Sequence, residues 1–223
     1  MRKRKICIIT GTRAEYGLFF PIIKKIQFSD YLELQIVATT MHFSEEFGNT
    51  YKQIEEDGFI IDEKIENLLS SDTKSSIAKS TGLATILLSD AFSRLAPDVV
   101  LVLGDRFETH AAATTAMLMN IPIAHIHGGE ITEGAMDEKI RHSITKMSSL
   151  HFTSTDEYRN RVIQMGEPLS TVFSVGAPGI DNIVSMNLLS KSELESKLEW
   201  KFNGITALFT FHSETLSTVD TRK

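Results

Sequence analysis

The chain has 223 residues, of which 42% are hydrophobic and 23% charged, as in an ordinary globular protein with one large or two small domains. Its net charge of −6, from 29 acidic and 23 basic residues, argues against a nucleic-acid or anionic-membrane surface. The apolar run 6–9 is too short for a signal peptide or a membrane span, and one cysteine excludes an internal disulfide, so we expect a cytoplasmic protein with Cys7 in its core.

The chain opens with three predicted elements: a strand over 5–10, a polar turn over 11–17 and a helix over 18–28. The helix follows from apolar residues at 19, 22, 23 and 26, and Pro21 fits only in its first turn. This order is typical of nucleotide-binding folds, although the spacing matches neither GxGxxG nor GxxxxGK[ST]. Arg13 in the turn could bind a phosphate through its fork of donors, or it could be an exposed arginine that pairs with Glu15.

The chain then reaches its centre through a strand over 32–39, a helix over 44–57, a short strand over 59–65 and a helix over 77–95. The central run 99–103 is apolar and rich in β-branched residues, which indicates a strand buried on both faces of a parallel sheet. Asp105 follows as a candidate helix cap, before a helix over 111–119. Ligands collect at the carboxyl ends of such strands, so Asp105 and Arg106 are candidate site residues. The ordinary alternative is that Asp105 only caps the helix and Arg106 only pairs with it.

The next strand, over 121–127, brings two histidines to one face, because strand side chains alternate with a period of two. His125 and His127 could therefore bind a metal ion together with a carboxylate. Alternatively, one histidine is satisfied by the backbone and the other lines a pocket. We favour packing, since neither CxxC nor HExxH is present.

Four acidic side chains are expected at the carboxyl ends of strands: Asp105, Glu130, Asp137 and Glu138. Such carboxylates can remove and return protons if burial or crowding raises a pKa. Glu138 lies in the first turn of a predicted helix over 137–149, where the spacing places Arg141 and His142 on the same exposed face. The ordinary alternative is that Glu138 forms a surface ion pair, which stabilises the helix by a few tenths of a kcal/mol. The opposite stripe of this helix is expected to face the core: Ile140, Ile144 and Met147.

The last part of the chain contains predicted strands over 150–154, 171–175 and 205–211, helices over 157–165 and 190–198, and a turn over 176–179. Alternating strands and helices predict the α/β class, with a doubly wound, Rossmann-like parallel sheet. The strand 205–211 has no helix after it, so we expect it to open a second domain that the chain does not complete. The predicted domains are therefore 1–203 and 204–223.

Four motifs occur in one order along the chain: Gly11-Thr-Arg-Ala-Glu-Tyr, Gly104-Asp-Arg-Phe-Glu, His125-Ile-His-Gly-Gly-Glu and Asp137-Glu-x-x-Arg-His-x-Ile-Thr-Lys146. Together with Phe211-His212 they resemble the UDP-N-acetylglucosamine 2-epimerase family, and within it the hydrolysing branch of sialic-acid-type pathways. The resemblance implies the N-terminal half of a glycosyltransferase-B-like architecture. In that architecture the N-terminal domain carries the catalytic groups and the C-terminal domain holds most of the nucleotide.

The resemblance also implies a reaction. UDP leaves C1 of the sugar as a proton leaves C2, and water adds to the resulting 2-acetamidoglucal with inversion at C2, which yields UDP and N-acetylmannosamine. No metal or cofactor is required, and the expected partner is a UDP-sugar, with a homo-oligomer left open. The same chemistry on a UDP-2,4-diacetamido-2,4,6-trideoxyhexose of a legionaminic-acid-type pathway is the alternative. Two further alternatives are a glycosyltransferase of this architecture and a non-catalytic UDP-sugar-binding fragment.

The resemblance assigns roles by motif position. The catalytic carboxylates are Asp105, Asp137 and Glu138, and the residues that bind UDP or the rest of the substrate are Arg13, Arg106, Arg141 and His212. One position departs from the family pattern, because His127 stands where many relatives have a carboxylate and Glu130 follows three residues later. Which of these two takes the catalytic role is open at this stage.

Overall fold

A computed structural model describes residues 2–69, 71, 73–132 and 136–210 of the chain. The strands of the described residues are β1 Arg4–Thr10, β2 Leu32–Thr39, β3 Glu63–Ile65, β4 Val99–Leu103, β5 Ile123–Ile126, β6 Leu150–Thr153 and β7 Val172–Ser174. Their α-helices are α1 Arg13–Gln27, α2 Tyr51–Glu56, α3 Lys74–Leu95, α4 Phe107–Leu118, α5 Asp137–Met147, α6 Asp156–Gln164, α7 Pro178–Ser185 and α8 Lys191–Leu198.

The strands form one parallel sheet in the order β3-β2-β1-β4-β5-β6-β7. The prediction of a doubly wound, Rossmann-like α/β sheet is therefore confirmed. The strands β1 to β3 extend from the centre of the sheet to one edge. The chain then returns to the centre, and β4 to β7 extend the sheet to the other edge. In open α/β sheets this reversal opens a crevice at the carboxyl ends of the two central strands, where ligands bind. The turns after β1 and β4 border that crevice.

A hydrophobic core lies on each face of the sheet. On one face α3, α4 and α5 pack against strand residues that include Cys7 and Val100, and on the other α1 packs against residues that include Ile8 and Leu101. Neighbouring residues of a strand point to opposite faces, so one apolar run supplies both cores. Cys7 is fully buried, as predicted.

Helix α1 tolerates Pro21 in its interior, which contradicts the prediction that Pro21 marks the first turn. The helix begins earlier because Thr12 caps it, its hydroxyl accepting from the amide of Glu15 at 3.3 Å. Proline has no amide proton, so the carbonyl of Gly17, four residues earlier, loses its helical donor. The side-chain amide of Asn182 donates to that carbonyl at 2.6 Å. Helix α7, which was predicted only as a turn, thus supplies the hydrogen-bond donor that α1 lacks.

Two other predicted elements are shorter than expected. The predicted helix 44–57 reduces to α2, because Gly48 and Asn49 take left-handed backbone conformations that interrupt a helix. The predicted strand 59–65 reduces to β3, whose ladder with β2 spans only three residues at the sheet edge.

The predicted strand 205–211 is wrong over its described residues, 205–210, which contain no strand and are exposed. A strand needs a neighbour to pair with its backbone, and the sheet ends at β7. The boundary between domains 1–203 and 204–223 remains a prediction.

Candidate active site

The carboxyl edge of the sheet gathers most of the predicted site residues. Three neighbouring strands, β1, β4 and β5, end there and are followed by the turns that begin at Gly11, Gly104 and His127. Helix α5, which follows the β5 turn, adds residues from its first two turns. Residues from four separate stretches of sequence therefore meet at one rim.

Asp105 binds Arg141 rather than capping a helix. The residue that caps α4 is Arg106, and it makes no side-chain capping bond. The Asp105 carboxylate instead accepts a hydrogen bond from the guanidinium of Arg141, which also donates to the hydroxyl of Thr132 at 3.2 Å. Arg141 is only 7% exposed. The prediction that Arg141 shares an exposed face with Glu138 is therefore wrong, because that side of α5 is turned toward the rim of the sheet.

The pKa of Asp105 is raised above its ordinary value. Burial is the largest cause, and the nearby charges of Asp137 and Glu130 add to it, while Arg141 opposes the shift. A carboxyl group in this balance of charges can take up a proton more readily than an ordinary aspartate. It is therefore suited to acid–base chemistry.

His127 and Glu130 are bound to each other. His127 Nδ1 lies 2.5 Å from Glu130 Oε1, and the hydroxyl of Ser154 donates to the same oxygen at 2.8 Å. Burial tends to raise the pKa of Glu130, but the hydrogen bonds from His127 and Ser154 outweigh it and lower that pKa. The backbone of His127 is left-handed, with φ of 66°, a conformation that concentrates at functional sites. His127 and Glu130, the two candidates for the unassigned catalytic role, thus form one hydrogen-bonded pair.

His125 is a packed residue, as one of the two interpretations of the histidine pair predicts. It is fully buried, and its Nε2 lies 2.8 Å from the carbonyl oxygen of Gly104, which can only accept, so this nitrogen carries the proton. Burial lowers the pKa of His125 to about 3, so the ring is neutral. Among the side chains that the structure describes, no group of three or more His, Cys, Asp or Glu residues is arranged to hold a metal ion.

The first turn of α5 contributes the other two predicted carboxylates. Asp137 lies close enough for its charge to act on Asp105. Glu138 is partly exposed and its Oε1 lies 3.8 Å from His142 Nε2, one helical turn away. The apolar stripe of this helix faces the core as predicted: Ile144 is fully buried, and Ile140 and Met147 pack against the same cluster.

Two arginines begin the helices that follow β1 and β4. Arg13 is exposed at the first position of α1 and makes no hydrogen bond or ion pair with the described residues, so it does not pair with Glu15. Arg106 is partly buried, and its Nε donates to Glu108 at 2.5 Å, so it does not pair with Asp105 either. His212 lies outside the described residues.

Comparison with known proteins establishes the family. A family model described as UDP-N-acetylglucosamine 2-epimerase matches residues 24–222. The chain belongs to the UDP-N-acetylglucosamine 2-epimerase family. The chain is 48% identical over 223 residues to the GDP/UDP-N,N'-diacetylbacillosamine 2-epimerase (hydrolyzing) of Campylobacter jejuni, a match that covers 100% of this chain and 58% of the relative.

Other similarities agree with this membership. The UDP-N,N'-diacetylbacillosamine 2-epimerase (hydrolyzing) of Legionella pneumophila is 44% identical over 181 residues, which are 81% of this chain and 48% of the relative. The crystal structure of Methanocaldococcus jannaschii UDP-GlcNAc 2-epimerase in complex with UDP-GlcNAc and UDP has a TM-score of 0.72 at 25% identity, covering 86% of this chain and 51% of the other. The chain spans about half the length of the curated relatives it matches.

None of the helices in the described part of the chain is long and apolar enough to cross a bilayer.

Proposed function

We propose that this member of the UDP-N-acetylglucosamine 2-epimerase family supplies the catalytic groups of a hydrolysing 2-epimerase for UDP-linked N,N'-diacetylbacillosamine, a 2,4-diacetamido-2,4,6-trideoxyhexose. The chemistry is supported by one observation above all: a mostly buried Asp105, bound by Arg141, with the charges of Asp137 and Glu130 beside it. The choice of sugar is supported by the activities for which the Campylobacter and Legionella relatives are named. The alternative sugar, UDP-N-acetylglucosamine, is supported by the description of the family model.

The proposed reaction has two steps, and each needs a proton to move. In the first, a base takes the proton from C2, the electron pair forms the C1–C2 double bond, and the C1–O bond breaks to release UDP. In the second, water adds its hydroxyl to C1 while an acid returns a proton to C2 on the opposite face. We assign the base to Asp105, because its raised pKa lets it accept a proton.

The remaining acidic groups complete the proposed catalytic set: Glu130, Asp137 and Glu138, with His127. Glu130 is held as the anion by its hydrogen bonds from His127 and Ser154, so it can accept a hydrogen bond from the attacking water and orient it. The water becomes strongly acidic as its oxygen bonds to C1, and its proton can then pass to this weak base. This arrangement gives His127 and Glu130 one shared role, in which the histidine orients the carboxylate.

The cations of the site are proposed to bind the diphosphate. Arg13 and Arg106 begin α1 and α4, so a phosphate bound between them would also meet the positive ends of two helix dipoles. Together they would stabilise the negative charge that develops as UDP departs. His212 is proposed to bind UDP on the grounds of its motif position alone.

Substitution of Arg13 by alanine is expected to weaken UDP binding about tenfold or more, since a charge-assisted hydrogen bond is worth about 1.5–3 kcal/mol. The thermal unfolding midpoint should not change, because Arg13 is exposed and contacts no described side chain in an ion pair. Calorimetric titration with UDP measures the effect. Arg2→Ala, at the amino end of β1 and paired with Asp98, is the matched control. Equal affinities in both variants would return Arg13 to the role of an ordinary surface residue.

The proposed activity is tested by incubating the full-length protein with each of the two sugar nucleotides in deuterated water. We expect release of UDP, one solvent deuterium at C2 of the free sugar, and a higher kcat/KM for the diacetamido substrate. A product without deuterium at C2 would disprove the elimination mechanism. A higher kcat/KM for UDP-N-acetylglucosamine would overturn the choice of sugar and leave the chemistry intact.

The same experiment separates the other two hypotheses. A glycosyltransferase would exchange no ring proton and would require an acceptor. A binding fragment would release no free sugar from either sugar nucleotide but would still bind UDP, which calorimetry on residues 1–223 measures directly.

A further inference from the structure

Two buried glutamates lie close to Arg106, the arginine at the start of α4. Glu15, in the first turn of α1, is 6% exposed, and Glu108, in the first turn of α4, is 1% exposed. Carboxylates are rarely buried to this extent unless they are paired. The reaction proposed above uses neither of them.

Glu15 ties the β1 turn to α4. One of its carboxyl oxygens accepts from the amide of Gly11 at 2.7 Å, and the other accepts from the hydroxyl of Thr109 at 3.3 Å. Glu108 reaches into the same place, because a Cβ added at Gly11 would lie 2.4 Å from Glu108 Oε1. Both carboxyl groups therefore lie against the Gly11 backbone, where only glycine leaves room for them.

The charges of this cluster do not balance if both glutamates are ionised. Among the described residues, Arg106 is the cation that acts on Glu15, and its Nε donates to Glu108 Oε1 at 2.5 Å. The second oxygen of Glu108 is buried and, within the described structure, has no hydrogen-bond partner. Two buried negative charges would thus share one positive charge and leave one oxygen without a donor, a costly arrangement. One added proton would neutralise the cluster.

We propose that Glu15 and Glu108 share one proton and act as a positioning pair, which fixes Arg106 and the Gly11 turn for the diphosphate of the substrate. The diphosphate part of this proposal rests on the proposed function. The proton is held mainly by Glu15: burial, with the charge of Glu108 added, raises the pKa of Glu15 to about 8, against the opposing effects of Arg106, Gly11 and Thr109. Loss of the proton at higher pH leaves two negative charges against the Gly11 backbone, whose repulsion displaces the two turns.

The shared proton is tested first, without any ligand, by a carbon-13 NMR titration of the glutamate carboxyl groups in the full chain. The Glu15 resonance is assigned in the wild type by through-bond correlation of its carboxyl carbon with its own backbone. We expect its midpoint to lie near pH 8 in the wild type and to stay there in Glu157→Gln, a change at an exposed glutamate that pairs with Arg161. A Glu15 midpoint below about pH 6 would overturn the shared proton. This measurement needs only the wild-type fold, so it stands even if a variant fails to fold.

The positioning role is tested by the pH dependence of UDP affinity, measured by calorimetry on the full-length protein between pH 7 and pH 9.5. In the wild type we expect the affinity to fall about fivefold across this range as the pair loses its proton. Glu15→Gln mimics the protonated carboxyl, so its profile should be flat, whereas the control Glu157→Gln should follow the wild type. Parallel profiles for all three proteins would overturn the positioning role. UDP binding that is absent at every pH would instead refute the proposed function and leave the NMR result to decide the proton.

Discussion

Substitution of Asp105 by asparagine is expected to lower kcat in the full-length protein by about two powers of ten or more. Asparagine keeps the size of the side chain and an oxygen that can accept from Arg141, so the buried contact survives. It cannot take up a proton, and so the abstraction at C2 loses its base. The loss should therefore fall on turnover and on deuterium incorporation rather than on folding.

Steady-state rates and the thermal unfolding midpoint, measured on the same preparation, check this prediction. Asp90→Asn is the matched control, because Asp90 is exposed on α3. A kcat within about threefold of the wild type would remove Asp105 from the chemistry. A large fall in the unfolding midpoint would show that Asp105 acts mainly as the partner of Arg141, and the roles proposed for Glu130 and Asp137 would then need the same test.

Substitution of Arg141 by methionine is expected to lower the free energy of unfolding by about 3 kcal/mol, because it leaves the mostly buried Asp105 without its counter-charge. The same change should raise the pKa of Asp105 further, since Arg141 is the group that opposes its upward shift. A base works only when it has lost its proton. The acid limb of the pH–rate profile, along which activity increases with pH, should therefore move to higher pH.

Denaturant unfolding and the pH dependence of kcat measure the two effects. Arg141→Lys keeps the positive charge and should move the acid limb less than methionine does. Arg94→Met, which removes an exposed arginine that pairs with Glu63 on the surface, should change stability less than Arg141→Met. An acid limb that stays in place in Arg141→Met, with turnover still measurable, would show that Asp105 is not the titrating base.

The strands of the sheet were predicted well from the apolar runs, because an apolar run is a property of local sequence alone. A short run of β-branched residues such as 99–103 can bury both of its faces only inside a parallel sheet, and β4 occupies those positions. Helix boundaries were predicted less well, because a side chain from a distant part of the chain can replace a missing helical hydrogen bond. Pro21 is the clearest case, since the group that tolerates it, Asn182, lies on α7.

The candidate residues were also predictable, but their partners were not. Helical spacing correctly placed Arg141 one turn from Glu138, yet it could not show which face of α5 turns toward the rim. The burial of Glu15 and Glu108 was missed for the same reason. Both stand in the quoted motifs, but a glutamate in a first turn is normally a solvated group that favours the helix dipole.

The sequence by itself determined the α/β class, the order of strands along the chain, the family, and the residue types that follow each strand. Tertiary structure alone decided that Asp105 binds Arg141, and that Glu15 and Glu108 both lie against the backbone of Gly11. The reason is physical: an ion pair forms between the side chains that the sheet sets side by side. Adjacency of β1, β4 and β5 is a property of strand order in space, which no local spacing of residues encodes.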